Sequence, residues 1–438
     1  MSAAPTLRDR ILPLLGPLGE GPFRMLWMGQ TTSAVGDAMI PVAIAFAVIH
    51  LGGDAAGIGL VLTAFTVPRL VFILAGGVWA DRLPRQQVML AADVIRGAVQ
   101  VGFAILLLSG NAQLWHLAAG AAVIGAASAF FVPASSGLIP QVVSPSLLQQ
   151  GNALMSLSRS ATGIIGPSVS GLLVVTVGVG WVFAIDAATY VASTISLLLL
   201  RVPRSVERAP HESFLTELAG GWREVVSRTW LRTALVAFGV SNVCLAPFFV
   251  LGPFVANEHL GGAADWGLIV TAQAVGGLLG GIVALRWRPA RPVAAGFILG
   301  PVFFVPLLFL APPLAVPLIM LASLAALASM ELSNTWWYTV LQQQIPPQAL
   351  SRVSSYDWLV SLIFQPLGFM LVGPISDGIG PTATLVGAAT VGIATNLVAL
   401  AVPSVRAVGW RQRPEEPSGV ISEVLAAEGP VAGPVEIE

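Results

Sequence analysis

Lysine is missing altogether from this 438-residue chain, and all 21 basic residues are arginine. Charge of either sign is scarce, at 10% of residues, where a soluble domain carries roughly 25%. That leaves too little polar surface to cover a core drawn from a sequence that is 55% hydrophobic, so the apolar content has to face lipid. The single cysteine, Cys244, excludes an intrachain disulfide. Four histidines without Cys/His ligand spacing imply no metal site and no cofactor. There is no G-x-x-x-x-G-K-S/T phosphate loop, which argues against ATP-driven pumping. No nucleophile–base arrangement points to an enzyme. A net charge of −1 gives no general attraction to nucleic acid. Residues 1–22 are polar and Pro/Gly-rich, without the short apolar core and cleavage site of a secretory signal.

What the chain does have is long hydrophobic runs. Twelve can be read, at about 25–49, 58–79, 87–108, 114–137, 152–177 and 181–200, then 233–256, 266–285, 293–310, 314–338, 353–373 and 382–402. Each is close to the roughly 20 residues that a spanning helix needs. The arginines orient them. Arg24, Arg82, Arg85, Arg201, Arg232, Arg286, Arg291, Arg352 and Arg406 all fall in alternate connections, whereas the intervening ones carry only Asp54, Glu258, His259, Asp265 and Asp377. By the positive-inside rule both termini are cytoplasmic, and the span count is even.

Two halves are also legible. A shift of 204 residues lays Gly76-Gly77 on Gly280-Gly281 and Arg82 on Arg286, and a shift of 202 lays Gly166 on Gly368 and Gly171 on Gly373. Internal repeats of this kind build many transporters. The predicted fold is therefore all-α and polytopic, with twelve transmembrane helices in two pseudo-symmetric six-helix bundles, 23–200 and 233–402. The linker 201–232 carries Phe214, Leu215, Leu218 and Trp222 among charges, a pattern that fits an amphipathic surface helix. The tail 403–438 turns acidic and Pro/Gly-rich and is expected to be largely disordered.

The connection after the second span reads Gly76-Gly77-Val78-Trp79-Ala80-Asp81-Arg82-Leu83-Pro84-Arg85. It resembles the G-x-x-x-D-R-x-x-R signature of the major facilitator superfamily, with Pro84 and Gln86 as departures. Span five carries Gly163, Gly166, Pro167 and Gly171, which resemble the G-P-x-x-G core of that superfamily's proton-antiporter motif; ordinary small-residue packing is the competing reading. Gly36-Asp37, Phe130-Phe131-Val132-Pro133-Ala134 and Arg352-Val353-Ser354-Ser355 are similar to phrases of the bacterial drug-efflux branch, which includes macrolide, tetracycline and enterobactin-type exporters. The resemblance implies a cell-membrane secondary transporter. Its partners would be a small organic substrate, protons and the bilayer, and it would act as a monomer by alternating access.

Ionisable groups in lipid are costly, so each is a functional candidate. Asp37 and Arg69 lie about halfway through spans one and two, where such transporters bind substrate, and are the proton and substrate candidates. A static ion pair is the alternative. Asp93 and Arg96 share one face of span three and, with Glu331 and Asp357, fall toward the cytoplasmic side. Together with Gly77, Asp81, Arg82, Arg85 and Arg352 they form a candidate inner gate; a structural ion-pair role is the alternative, and the favoured one for Asp93 and Arg96. The cavity candidates are Met39, Phe248, Gln273, Trp336, Trp337, Tyr338, Trp358 and Gln365. A wall of aromatics with few charges suits a lipophilic or amphiphilic cargo. Three readings compete: a proton-driven exporter of hydrophobic compounds, an exporter of an endogenous siderophore or secondary metabolite, and a non-transporting receptor, scaffold or scramblase on the same fold.

The resemblance gives Asp81 the role of a latch against a helix N-terminus, a contact worth about 0.3–1 kcal/mol at a surface and up to ~2 when partly buried. Asp81→Asn is expected to slow turnover several-fold in a well-folded protein. Wild-type turnover in that variant refutes the latch.

Overall fold

The computed structural model describes residues 12–202 and 223–410; the side chains of 74–82 and of several positions in 347–362 fall outside that description. The amphipathic segment expected between Phe214 and Trp222 also lies outside it. Twelve long helices follow in order. They are α1 (Gly21–His50), α2 (Ala55–Arg82), α3 (Arg85–Leu108), α4 (Leu114–Val142), α5 (Leu148–Thr176) and α6 (Val179–Leu199), then α7 (Thr229–His259), α8 (Ala263–Ala284), α9 (Pro292–Leu310), α10 (Val316–Gln344), α11 (Pro347–Ile379) and α12 (Pro381–Ala401). α9 tightens to a 3₁₀ turn over Gly300–Phe304, where Gly300-Pro301 interrupts the ladder. This is the all-α twelve-helix architecture expected from the hydrophobic runs.

Ten of the described helices are long and apolar enough to cross a membrane. Of the other two, α5 falls short because of its composition. The first half of α5 carries Gln149, Gln150, Asn152, Ser156, Arg159 and Ser160, with Asn152, Ser156, Arg159 and Ser160 exposed. In α11 the described apolar stretch is Ile363–Ile379. Both stand at the junction of the two bundles, α5 against α8 and α11 against α2.

Short connections make successive helices antiparallel, so the loops divide between a terminal face, which carries both ends of the described chain, and a distal face. The distal turns α1–α2, α3–α4, α5–α6, α7–α8 and α11–α12 each contain one left-handed glycine: Gly52, Gly110, Gly178, Gly262 and Gly380. The beginning of the tail is ordered. A short helix α13 (Pro403–Ala407) packs on the second bundle, Gln344 donates to the Gly409 carbonyl, and the Trp410 indole donates to Pro289 O at 2.7 Å.

Packing differs sharply between the two faces. On the distal half a single hydrophobic core runs through both bundles, from Val42, Phe46 and Phe183 to Val250, Trp266 and Phe369. On the terminal half the cores are separate: Phe23, Met89 and Leu138 in the first bundle, Leu231, Trp337 and Val353 in the second. Four glycines allow the distal contact. A Cβ on Gly59 of α2 would strike the Phe369 backbone of α11, and one on Gly373 would strike Ala56. The equivalent pair joins α5 and α8, with Gly171 against the Ala263 backbone and Gly267 against that of Pro167. Polar stitches sit beside them: Thr63 donates to Pro366 O at 3.4 Å, Ser168 and Thr271 lie 2.6 Å apart, and Thr271 donates to Ile164 O at 2.9 Å. Nearer the terminal face, a Cβ on Gly163 or Gly281 would meet nothing within 4 Å. The bundles are joined at one end and parted at the other.

Cysteines at Ser168 and Thr271, in a Cys244→Ala background, are expected to crosslink on mild oxidation and to stop transport by fixing the distal seam. Complete crosslinking with undiminished transport overturns the account of two bundles moving about this seam.

Candidate functional site

The first bundle holds a web of buried charge. Asp93 and Arg96 project from one face of α3 and form an ion pair, with Asp93 fully buried and Arg96 5% exposed. The other Asp93 oxygen accepts from Ser193 of α6 at 2.7 Å. Arg96 also reaches Asp37 of α1 at 3.9 Å, and the Tyr190 hydroxyl of α6 donates to the opposite oxygen of Asp37. The guanidinium stacks over Phe131 at 4.1 Å and over Tyr190 at 4.8 Å, two faces that suit a planar, weakly hydrated cation. Asp186, fully buried, accepts from Gln100 at 2.6 Å and from Thr189 at 3.2 Å. Within this web Asp37 alone is open, its side chain 47% exposed.

Local sequence explains the assembly. Gly36 lets α1 cross α6 directly over Asp186; any Cβ there would collide with its carboxylate. Asp93, Arg96 and Gln100 lie three and four apart on α3, and Asp186, Thr189, Tyr190 and Ser193 repeat the same spacing on α6, so each helix turns one polar stripe toward the other. Tyr190, Gln100 and Ser193 were missed in the sequence. The signal that would have found them is that stripe, since polar residues at helical spacing within a span must find partners inside the protein.

Several expected placements change. The guanidinium beside Asp37 is Arg96, whereas Arg69 lies near Phe65 of its own helix, its Cζ 5.9 Å from the ring centroid. Depth along the chain had paired Asp37 with Arg69 because it carries no information about helix rotation. Asp93 and Arg96, expected near an inner gate, make their contacts within the Asp37 web. Arg85 donates to the Gly137 carbonyl and so ties α3 to α4 within one bundle. Glu331 of α10 lines a recess with Ser160 and Gly163 of α5 and Gly277, Gly281 and Leu285 of α8. Gly77, Asp81, Arg82, Arg352 and Trp358 lie outside the described side chains.

Three of the four motif residues of α5 make close packing contacts. Gly166 seats against the Ala38 backbone of α1, Pro167 and Gly171 meet α8, and Ser170 donates to Met39 O at 2.8 Å.

The second bundle has no comparable web among the described residues. It has two adjoining cavities that share Asn242, Leu245, Phe303 and Met330. One, of about 190 Å³, takes in Phe248, Gln273 and Gln365. The other, of about 240 Å³, takes in Trp337, Tyr338 and Asp357. Among the remaining cavity candidates, Met39 is buried in the distal core, and Trp336 turns away to donate to Trp287 O at 3.0 Å. Asn334 and Asn396, not anticipated, line the larger cavity.

The sequence model of the Major Facilitator Superfamily matches residues 26–361. The multidrug efflux pump Tap of Mycolicibacterium fortuitum is 26% identical over 415 residues, which cover 90% of this chain and 99% of that protein. The enterobactin exporter EntS of Shigella boydii is 27% identical over 372 residues, covering 83% and 87%. Among solved structures, a bacterial homologue of the iron transporter ferroportin in an inward-facing state aligns with a TM-score of 0.69 at 14% identity, covering 87% of this chain and 99% of that one. The nucleoside transporter NupG aligns with a TM-score of 0.68 at 12% identity, covering 87% and 98%. At these identities the solved structures bear on the fold alone.

Breaking a buried ion pair costs about 3–5 kcal/mol because the surviving charge is left unpaired. Arg96→Gln is therefore expected to lose most of its resistance to unfolding in detergent, whereas Asp37→Asn, half-exposed and accepting from a neutral hydroxyl, is expected to melt close to wild type. Equal loss in both variants would make Asp37 a purely structural member of the web.

Proposed function

Because the chain belongs to the Major Facilitator Superfamily, we propose that it is a secondary transporter of the cell membrane that exports hydrophobic or amphiphilic organic compounds in exchange for protons. The observation that carries this reading is a division of labour between the bundles. One holds a charge web whose single open member is Asp37; the other holds the aromatic and amide-lined cavities. A group that gains and loses a proton must be reachable by water and also held beside a partner that senses its charge, and Asp37 meets both conditions through Arg96 and Tyr190.

The arginines of the terminal face argue that this face is cytoplasmic. The parted cores would then open the cleft to the cytoplasm and the glycine seam would close the outer side, as alternating access requires of a protein loading its export cargo. The likeness to Tap favours a broad range of foreign compounds. A second reading, export of an endogenous siderophore or secondary metabolite, draws on the likeness to EntS. The apolar character of the cavity walls favours the first.

The test is substrate-dependent proton movement in proteoliposomes, read with an internal pH dye across a panel of lipophilic drugs and catecholate siderophores. Wild type is expected to concentrate lipophilic compounds against their gradient only when a proton gradient is imposed. Asp37→Asn is expected to abolish that uphill step while downhill exchange persists. Uphill transport by Asp37→Asn places the proton elsewhere, and transport by wild type that ignores the proton gradient refutes antiport.

A further inference from the structure

The larger of the two adjoining cavities is lined by sixteen residues, of which one is charged: Asp357 of α11. Its surroundings are specific. Phe238 stands edge-on to Trp337 with ring centroids 4.9 Å apart and stacks on Phe297 at 6.0 Å, so two aromatic elements form a corner of the chamber. Asp357 is 4% exposed, and no cationic side chain stands against it among the described residues. The Trp337 indole nitrogen is buried near this carboxylate without reaching hydrogen-bonding geometry. Tyr338, exposed, marks the rim.

The neutral polar groups point to the same ligand chemistry. Ser333 donates its one hydroxyl proton to Ser329 O at 2.8 Å. Asn242 and Asn396 each donate to a carbonyl one turn back, Phe238 O at 3.0 Å and Gly392 O at 2.9 Å. Ser333 thus keeps only acceptor oxygen for an occupant, and each amide keeps one N–H besides its acceptor oxygen. Acceptors, a carboxylate and aromatic faces all stabilise positive charge, and a carboxylate this deeply buried is costly until a counter-charge arrives.

We propose that this chamber is a recognition site for a lipophilic organic cation, with Asp357 as the residue that selects for charge and Trp337 and Phe238 as the aromatic walls. The inference rests on the transport reading above and adds the charge class of the cargo and the bundle that receives it. It also separates two tasks, with cargo charge read in the second bundle and the proton handled at Asp37 in the first.

The experiment uses two ions of nearly the same shape and opposite charge, tetraphenylphosphonium and tetraphenylborate. Each is bound at equilibrium to the purified full-length protein in detergent with no gradient present. Wild type is expected to prefer the phosphonium by at least about tenfold, and Asp357→Asn to lose that preference. Ser333→Leu, which fills the chamber without touching the carboxylate, is expected to weaken phosphonium binding by a similar factor, and it decides the matter if Asp357→Asn does not fold. A wild type that binds both ions alike, a folded Asp357→Asn that keeps the preference, or a Ser333→Leu that binds as wild type does each overturn the site. Because binding is read without protons moving, a wild type that exports cargo yet shows no charge preference overturns this site and leaves the transport reading standing.

Discussion

Hydrocarbon supplies no hydrogen bonds and no counter-ions, and that constraint decides where the two halves of this protein are able to touch. Backbone can meet backbone only where side chains vanish. The chain provides this at Gly59 and Gly373 on one side of the junction and at Gly171 and Gly267 on the other, all toward the distal face. Contact there is close enough for one core to run through both bundles. Toward the terminal face the same helices present Gly163 and Gly281 to open space, and α5 turns polar. A glycine seam has few interlocking side chains to disengage, and hydroxyls such as Ser168 and Thr271 find other carbonyls when they part. It is the sort of interface that can be made and unmade within a membrane.

The same constraint governs charge. Each buried carboxylate of the first bundle is matched by one donor on its own helix and one on a neighbour: Asp93 by Arg96 and by Ser193 of α6, Asp186 by Thr189 and by Gln100 of α3. The web therefore welds α1, α3 and α6 into one rigid unit, while Asp37 remains the point at which it meets water. In the second bundle Asp357 is the one carboxylate that lines the aromatic chamber among the described residues. The asymmetry separates a scaffold that tolerates a change of charge at one open site from a wall that can accept varied apolar shapes.

Much of the fold was legible in the residues because membrane physics is written in long windows. Twenty-residue hydrophobic runs, arginines in alternate loops and a 202-residue repeat each survive local ambiguity, and the twelve helices followed from them. The site was legible only as a set of candidates. Asp37, Asp93, Arg96 and Asp357 stood out because charge in lipid is rare, but their partners depended on helix rotation, which depth along the chain does not contain. Arg69 was matched to Asp37 on depth, and Arg96, one span further on, holds that place. Trp336 and Trp337 make the same point at the scale of one residue: both are aromatic, adjacent and at one depth, yet a 100° step turns one toward Trp287 and the other into the chamber. Reading α3 and α6 for polar stripes, residue by residue around the helix, would have recovered Tyr190 and Gln100 as well.

The repeat carries one further meaning, which joins the charge web to the chamber. A shift of 205 residues places Asp37 on Asn242. In the first half the next residue, Ala38, seats on Gly166 of α5; in the second half Val243 seats on Gly368 of α11. So in each half the functional side chain stands one residue from the contact between a cavity-lining helix and a helix of the bundle junction. Asp37 does so in the web, and Asn242 where the two chambers meet. α5 and α11 are also the helices that bear Gly171 and Gly373 of the distal seam. Asp37 and Asn242 therefore stand beside symmetry-related joints, each about one and a half helical turns along α5 or α11 from the seam glycine. Duplication made the joints alike. One joint now carries a carboxylate and the other an amide, so the two halves present different chemistry at matching places.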